Sequence, residues 1–148
     1  MLTRNILLLK VVTLLSLSAC YAFGQQPEEA AVRKAVGYYI QGHATGDPEY
    51  FRKAFSDKAT LSWIKEGKLS QRTVADYIAG APGKSAPDEA KRTRTIEEVS
   101  ITGNVAVVRI ALDSPETHII DYLSLLKIEG EWKIVSKIFF VQPKPVKS

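Results

Sequence analysis

Apolar residues recur with two different periods along this chain, and the changeover falls near residue 92. In the first half the spacing is helical. Val32, Val36, Tyr39, Ile40 and His43 fall on one stripe, opened by Pro27-Glu28-Glu29 and ended by Gly42 and Gly46. Asp47 before Pro48 reads as the N-cap of a second helix that carries Phe51 and Phe55 on one face. Leu61, Trp63 and Ile64 predict a short strand closed by a turn at Glu66-Gly67. Ser70 is then expected to cap a third helix over Gln71 to Ala79, with Gly80 just past its end. Ala81 to Pro87, with two prolines, a glycine and a serine, predicts a loop or flap.

Beyond it the pattern is strand-like. Arg92 to Ile101, Val105 to Leu112, Thr117 to Ile128 and Glu131 to Val141 form four runs, separated by turns at Gly103-Asn104, Ser114-Pro115 and Glu129-Gly130. Pro143-Lys144-Pro145 cannot extend a sheet, so residues 143–148 are expected to be a flexible tail. Helices segregated from a run of strands predict an α+β domain over residues 25–142: a curved antiparallel sheet with the N-terminal helices packed on its concave face, shaped as a cone with a pocket. The last two strands carry apolar residues on both parities, Trp132, Ile134 and Ile138 on one and Val135, Phe139 and Val141 on the other. A sheet covered on one side alternates more cleanly, so a second copy of the chain is expected to cover the outer face.

Asp121-Tyr122-Leu123-Ser124-Leu125-Leu126-Lys127, followed by Gly130, Trp132, Lys133, Ile134 and Lys137, resembles the putative lumazine-binding family of the nuclear transport factor 2-like superfamily. Tyr39, the segment Gly42-His43-Ala44-Thr45-Gly46-Asp47 and Phe55 resemble the corresponding helix-to-helix corner, and the likeness spans about residues 28–141. It implies a cone-shaped α+β fold. It leaves activity open, because the superfamily hosts isomerases, dehydratases, cyclases and non-catalytic binders.

The first 24 residues stand apart. Arg4 and Lys10, a short apolar core over Val11 to Ala19 and the small residues after it have the layout of a bacterial export signal. Leu17-Ser18-Ala19-Cys20 resembles a lipobox, which would acylate Cys20; cleavage near Ala22 or Gly24 is the alternative. Export to the periplasm or cell envelope, or secretion, is expected, with membrane attachment only through Cys20. Since Cys20 is the chain's one cysteine, the exported domain stands without a disulfide. The whole chain has 20 basic and 16 acidic residues; without Arg4 and Lys10 the balance is 18 against 16, or +2. Lys91, Arg92 and Arg94 are followed at once by Glu97 and Glu98, so no basic face for nucleic acid is expected.

Asp121 is the leading candidate for chemistry. Strand alternation puts it on a face with Ile119, Leu123 and Leu125, and puts His118 on the other. A carboxyl group in such surroundings must be hydrogen-bonded, shifted in pKa or turned to a cavity. It would serve as general acid or base, or pair with a lysine or strand neighbour to fix register. His43 lies one turn beyond Tyr39 on the same helix face, where it would assist Asp121, orient a ligand or cap the helix end. Trp63 and Tyr77 are expected to line a ligand pocket with Tyr39, and Phe55 and Trp132 to fill the core. Arg109 would bind an anionic ligand or, the favoured reading, pair with an acid such as Glu98 on a sheet face. Two distant histidines give no zinc pattern, and no glycine-rich phosphate loop or nucleophile elbow occurs, so no cofactor or metal is called for. The residues leave three functions open: a binder of a small, partly aromatic or apolar ligand, an isomerase-, dehydratase- or cyclase-type enzyme built on Asp121, and a homodimeric interaction module.

Overall fold

A computed structural model describes residues 26–145. The expected export signal and the acylation expected at Cys20 lie outside the described residues. Helix α1 covers residues 26–45. Helix α2 (Pro48–Ala54) follows, its first turn capped by the Asp47 carboxylate, which accepts from the Glu49 N–H at 2.9 Å. Strands β1 (Phe55–Lys65) and β2 (Lys68–Thr73), helix α3 (Val74–Ala79) and a 3-10 turn (Glu89–Lys91) come next. Strands β3 (Thr93–Thr102), β4 (Val105–Asp113), β5 (Thr117–Ile128) and β6 (Glu131–Pro143) complete the domain.

The six strands form one sheet in the order β2-β1-β6-β5-β4-β3. All neighbours are antiparallel except β1 and β6, so the sheet is mixed rather than purely antiparallel. The first and last strands lie side by side within it, after α3 and the meander have carried the chain around. The inner face supplies Val108, Ile110, Leu123, Leu125 and Ile134, fully buried against Val32, Val36 and Tyr39 of α1. Each contributes about 1.5–3 kcal/mol by leaving water, which fixes α1 across the sheet. Glu28 ties the far end of α1 to the last hairpin through Lys127 (2.6 Å) and the Trp132 indole N–H (2.9 Å).

Several local expectations change. Residues 71–73, expected as the start of a helix, belong instead to the edge strand Lys68–Thr73; Thr73, not Ser70, caps the following helix by accepting from Asp76 N–H. Strand β2 pairs only with β1 and is exposed along almost its whole length, so its polar sequence carries no burial pattern. Phe55 opens β1 rather than closing α2. Gly42 does not end α1 but lies within it, where an added Cβ would come within 2.6 Å of the Phe51 ring. The tail is tied down as far as Lys144: its N–H donates to the Glu116 carbonyl at 2.8 Å, and its Nζ to Asp113 at 2.7 Å.

The register of β6 against β5 slips by one residue. Leu125 pairs with Ile134 and Ser124 with Ser136, leaving Val135 as an extra residue. This bulge reverses the alternation: Trp132 and Ile134 point inward before it, Lys137 after it, and Ile138 turns outward, 54% exposed. The two apolar parities of β6 are thus partly one inner face interrupted by a bulge.

Candidate functional site

Four of the five aromatic and ionisable residues singled out from the sequence converge beneath α1. Tyr39 and His43 share a helix face, with ring centroids 4.6 Å apart and edge to face. Asp121 comes from the middle of β5, opposite Phe139 on β6 and Ile110 on β4, and has no exposed surface. Tyr77, from α3, packs against Phe51 and Phe55 and places its phenol 2.9 Å from His43 Nε2. Trp63 does not join them. It stacks on Phe139 and lines a separate, apolar groove with Ile64 and Leu69. Phe55 and Trp132 are core residues, each 4% exposed.

The centre of the cluster is a buried triangle. Tyr39 Oη donates to Asp121 Oδ2 at 2.5 Å and accepts from Lys137 Nζ at 2.6 Å. Lys137 Nζ also lies 3.0 Å from Asp121 Oδ1, but it is poorly directed at that oxygen, which is left without an aligned hydrogen bond. The pair therefore has the distance of a salt bridge and only part of its hydrogen bonding. Aromatic rings enclose the ammonium: Phe139 at 4.7 Å, Tyr39 at 5.1 Å and Tyr77 at 5.9 Å from ring centroid to Nζ.

This enclosure sets the charges. Burial pushes the Tyr39 phenol well above its ordinary range, reinforced by Tyr77 and the Asp121 carboxylate, so Tyr39 stays protonated as a donor. Burial likewise raises the Tyr77 phenol. Lys137 moves the other way, because desolvation outweighs the attraction of Asp121. His43 is lowered to about 3, first by burial and then by Lys137, Arg94 and Arg92. The imidazole is therefore neutral. In its Nδ1–H tautomer it accepts a hydrogen bond from the Tyr77 phenol at Nε2.

The corner around His43 is rigidly built. Arg94, on the inner face of β3, donates to the His43 carbonyl at 3.2 Å while its guanidinium is held by both oxygens of Glu89. Gly46 has φ +71°, and an added Cβ there would run into the Lys84 carbonyl, so only glycine lets the 81–87 loop lie on this corner. The loop closes over it through Gly83 N–H to the Gly46 carbonyl at 2.9 Å. Between loop and helices lies a cavity of about 440 Å³, lined by His43, Phe51, Arg72, Tyr77, Pro82 and Arg92 among others. That size suits a small molecule. The triangle lies behind its Tyr77 wall.

Sequence reasoning missed Lys137 and Arg94. The bulge hides Lys137, since strict alternation from Trp132 and Ile134 points it outward. Arg94 was visible only as part of a basic cluster. His118 faces away from Asp121, as its parity requires, and bonds Asp113 at 3.0 Å. Arg109 is ion-paired, but to Glu97 at the β3 bulge; Glu98 is its register partner. No group of three His, Cys, Asp or Glu side chains able to hold a metal occurs among the described residues.

Comparison with known proteins places these features in a lineage. The chain is 34% identical over 108 residues to an enzyme of a Cladobotryum species named aldolase FrzH, covering 72% of this chain and 85% of that one. A nuclear transport factor 2-like protein of unknown function from Shewanella baltica superposes with a TM-score of 0.72 at 27% identity, over 80% of this chain and 96% of that one. A second from Silicibacter pomeroyi gives 0.70 at 25% identity, over 80% and 98%. The family model described as "Putative lumazine-binding" matches residues 27–140. The chain belongs to the putative lumazine-binding family and has the nuclear transport factor 2-like fold.

Proposed function

We propose that this protein binds a small carbonyl-containing molecule in its cone and moves a proton next to that carbonyl, as aldol-type addition or cleavage requires. The observation that carries the reading is Asp121, a carboxylate with no exposed surface that takes a hydrogen bond from Tyr39 and keeps one oxygen without an aligned partner. A carboxylate so placed is a candidate base, and a phenol held protonated beside it is a candidate acid. The aldolase relative supports carbon–carbon chemistry over simple binding. The His43–Tyr77 pair borders the triangle on the cavity side and gives a proton a route outward.

Two measurements test this. Native purification followed by denaturation should release a small molecule with a carbonyl, or with a hydroxyl β to one. Asp121→Asn should keep that ligand but slow deuterium exchange at its α-carbon by about 10²-fold or more. A ligand with lumazine or flavin absorbance, unchanged by any substitution at Asp121, would overturn the catalytic role and leave a binder.

We also propose export through residues 1–24, supported by their charge and apolar layout, with acylation at Cys20 tested by mass spectrometry of the mature N-terminus. Homodimerisation through the outer sheet face has its own observation. Ile64, Leu69 and Phe140 are 65–67% exposed there, beside Ile138 and Tyr122. Light scattering should give a dimer that Phe140→Asp disrupts; a wild-type monomer at micromolar concentration would sink this.

A further inference from the structure

The geometry points to Lys137 as a covalent catalytic amine: we infer that its Nζ condenses with the substrate carbonyl to form an imine. This rests on the reading of the site as one for carbonyl chemistry. The β6 bulge at Val135 is what brings Lys137 inside, since without it this side chain would stand on the outer face. A lysine turned into a core costs stability unless its ammonium is fully satisfied. Here it is satisfied only in part: Nζ has one aligned hydrogen bond among the described residues, to Tyr39, the Asp121 oxygen 3.0 Å away has none, and aromatic rings supply the rest of its surroundings. Burial lowers the pKa of this amine against the pull of Asp121 and the facing aromatic rings, which is the direction a nucleophilic lysine needs.

Proton carriers stand at the amine, and a single side chain stands between it and the cavity. The Tyr77 ring lies 5.9 Å from Nζ and also walls the 440 Å³ cavity, so one side chain separates the amine from the space a substrate would fill. In the reaction the neutral amine's lone pair attacks the carbonyl carbon, forming a C–N bond. Its two N–H protons end on the former carbonyl oxygen, which leaves as water, and C=N replaces C=O. Asp121 and Tyr39, both at Nζ, are the groups that carry those protons. No oxidant or reductant is needed. The cavity lining carries Arg72 and Lys84, beside an Arg92 already paired with Asp88 at 2.8 Å, and no carboxylate, which favours a carbonyl compound that is also an acid.

Pyruvate is therefore the probe. The folded full chain, treated with pyruvate and sodium cyanoborohydride and mapped by peptide mass spectrometry, should carry one reductively attached three-carbon acid at Lys137, and acetone should label it at least tenfold less. Lys137→Met and Lys137→Arg should lose the adduct, and circular dichroism with thermal melting checks that they fold. Labelling spread over surface lysines, with Lys137 untouched in folded wild type, would overturn the inference. So would α-proton exchange that depends on Asp121 yet survives in Lys137→Met, which would leave the acid–base reading standing. An adduct at Lys137 with no Asp121-dependent exchange would support the amine and count against that reading instead.

Discussion

Two lysines near the end of the chain reach back to aspartates, and the two pairs live in opposite surroundings. Lys144 meets Asp113 at 2.7 Å with both side chains more than a third exposed; Lys137 meets Asp121 at 3.0 Å with exposures of 6% and 0%. The surface pair is the better bonded. Asp113 also takes His118 Nδ1 at 3.0 Å, and Lys144 also donates to the Ser114 carbonyl. The buried pair, where every missing bond costs most, leaves Oδ1 of Asp121 unaligned. Stability alone would distribute the hydrogen bonds the other way, so the buried pair is better explained by what it does than by what it holds.

Breaking the buried pair from one side should have the largest effect. Asp121→Ala strands Lys137 and the Tyr39 phenol, and is expected to cost about 3–5 kcal/mol in urea denaturation. Replacing the whole triangle by apolar groups, Tyr39→Phe with Asp121→Leu and Lys137→Met, removes the desolvation penalty along with the attraction. That triple variant should unfold within about 1 kcal/mol of wild type, or be more stable, while failing to exchange α-protons. A triple variant as unstable as Asp121→Ala would mean that the cluster is structural.

The same enclosure makes His43 a pH sensor of stability. Its folded pKa of about 3 lies below the ordinary 6.5, so between those values the unfolded chain binds the extra proton. Stability is then full above pH 6.5 and falls as pH drops through the unfolded pKa. From pH 7 to 5 the loss should be about 1–2 kcal/mol, allowing for partial exposure of the residue. His43→Gln, which cannot titrate, should flatten that interval in denaturation midpoints. An unchanged slope would show that the ring is solvated and the cavity wall open.

The difference between the pairs also marks what could be read before the structure. The α+β layering, the last four strands and the Glu129-Gly130 hairpin were legible because burial imposes a strict period on them, and both turn residues do have positive φ. Strand β2 was not, because an edge strand in solvent needs no apolar period. Asp121, Tyr39, His43 and Tyr77 stood out as polar or amphipathic side chains within apolar stripes. Lys137 did not: one inserted residue, Val135, reversed the parity on which its placement depended. Trp63 was drawn into the expected pocket by its chemistry, but its strand carries it to Phe139 at the edge of the site.

The surface pair supplies the smallest effect and the control. Lys144 and His118 hold the Asp113 carboxyl below its usual range, so its contribution is present above the unfolded pKa and is lost as pH falls through the folded one. Both partners are more than a third exposed, so water and ions screen the pair. Asp113→Asn should therefore cost no more than about 1 kcal/mol at low salt, and that cost should shrink further toward 1 M salt, where the Debye length is about 3 Å. The penalty of Asp121→Ala should not move over the same titration, because no counterion reaches a carboxylate with no exposed surface. Two carboxylates with one kind of partner would then be told apart by salt alone. If the Asp121 penalty were screened as well, solvent would have to enter the triangle, and the desolvation that lowers the Lys137 pKa would be lost with it.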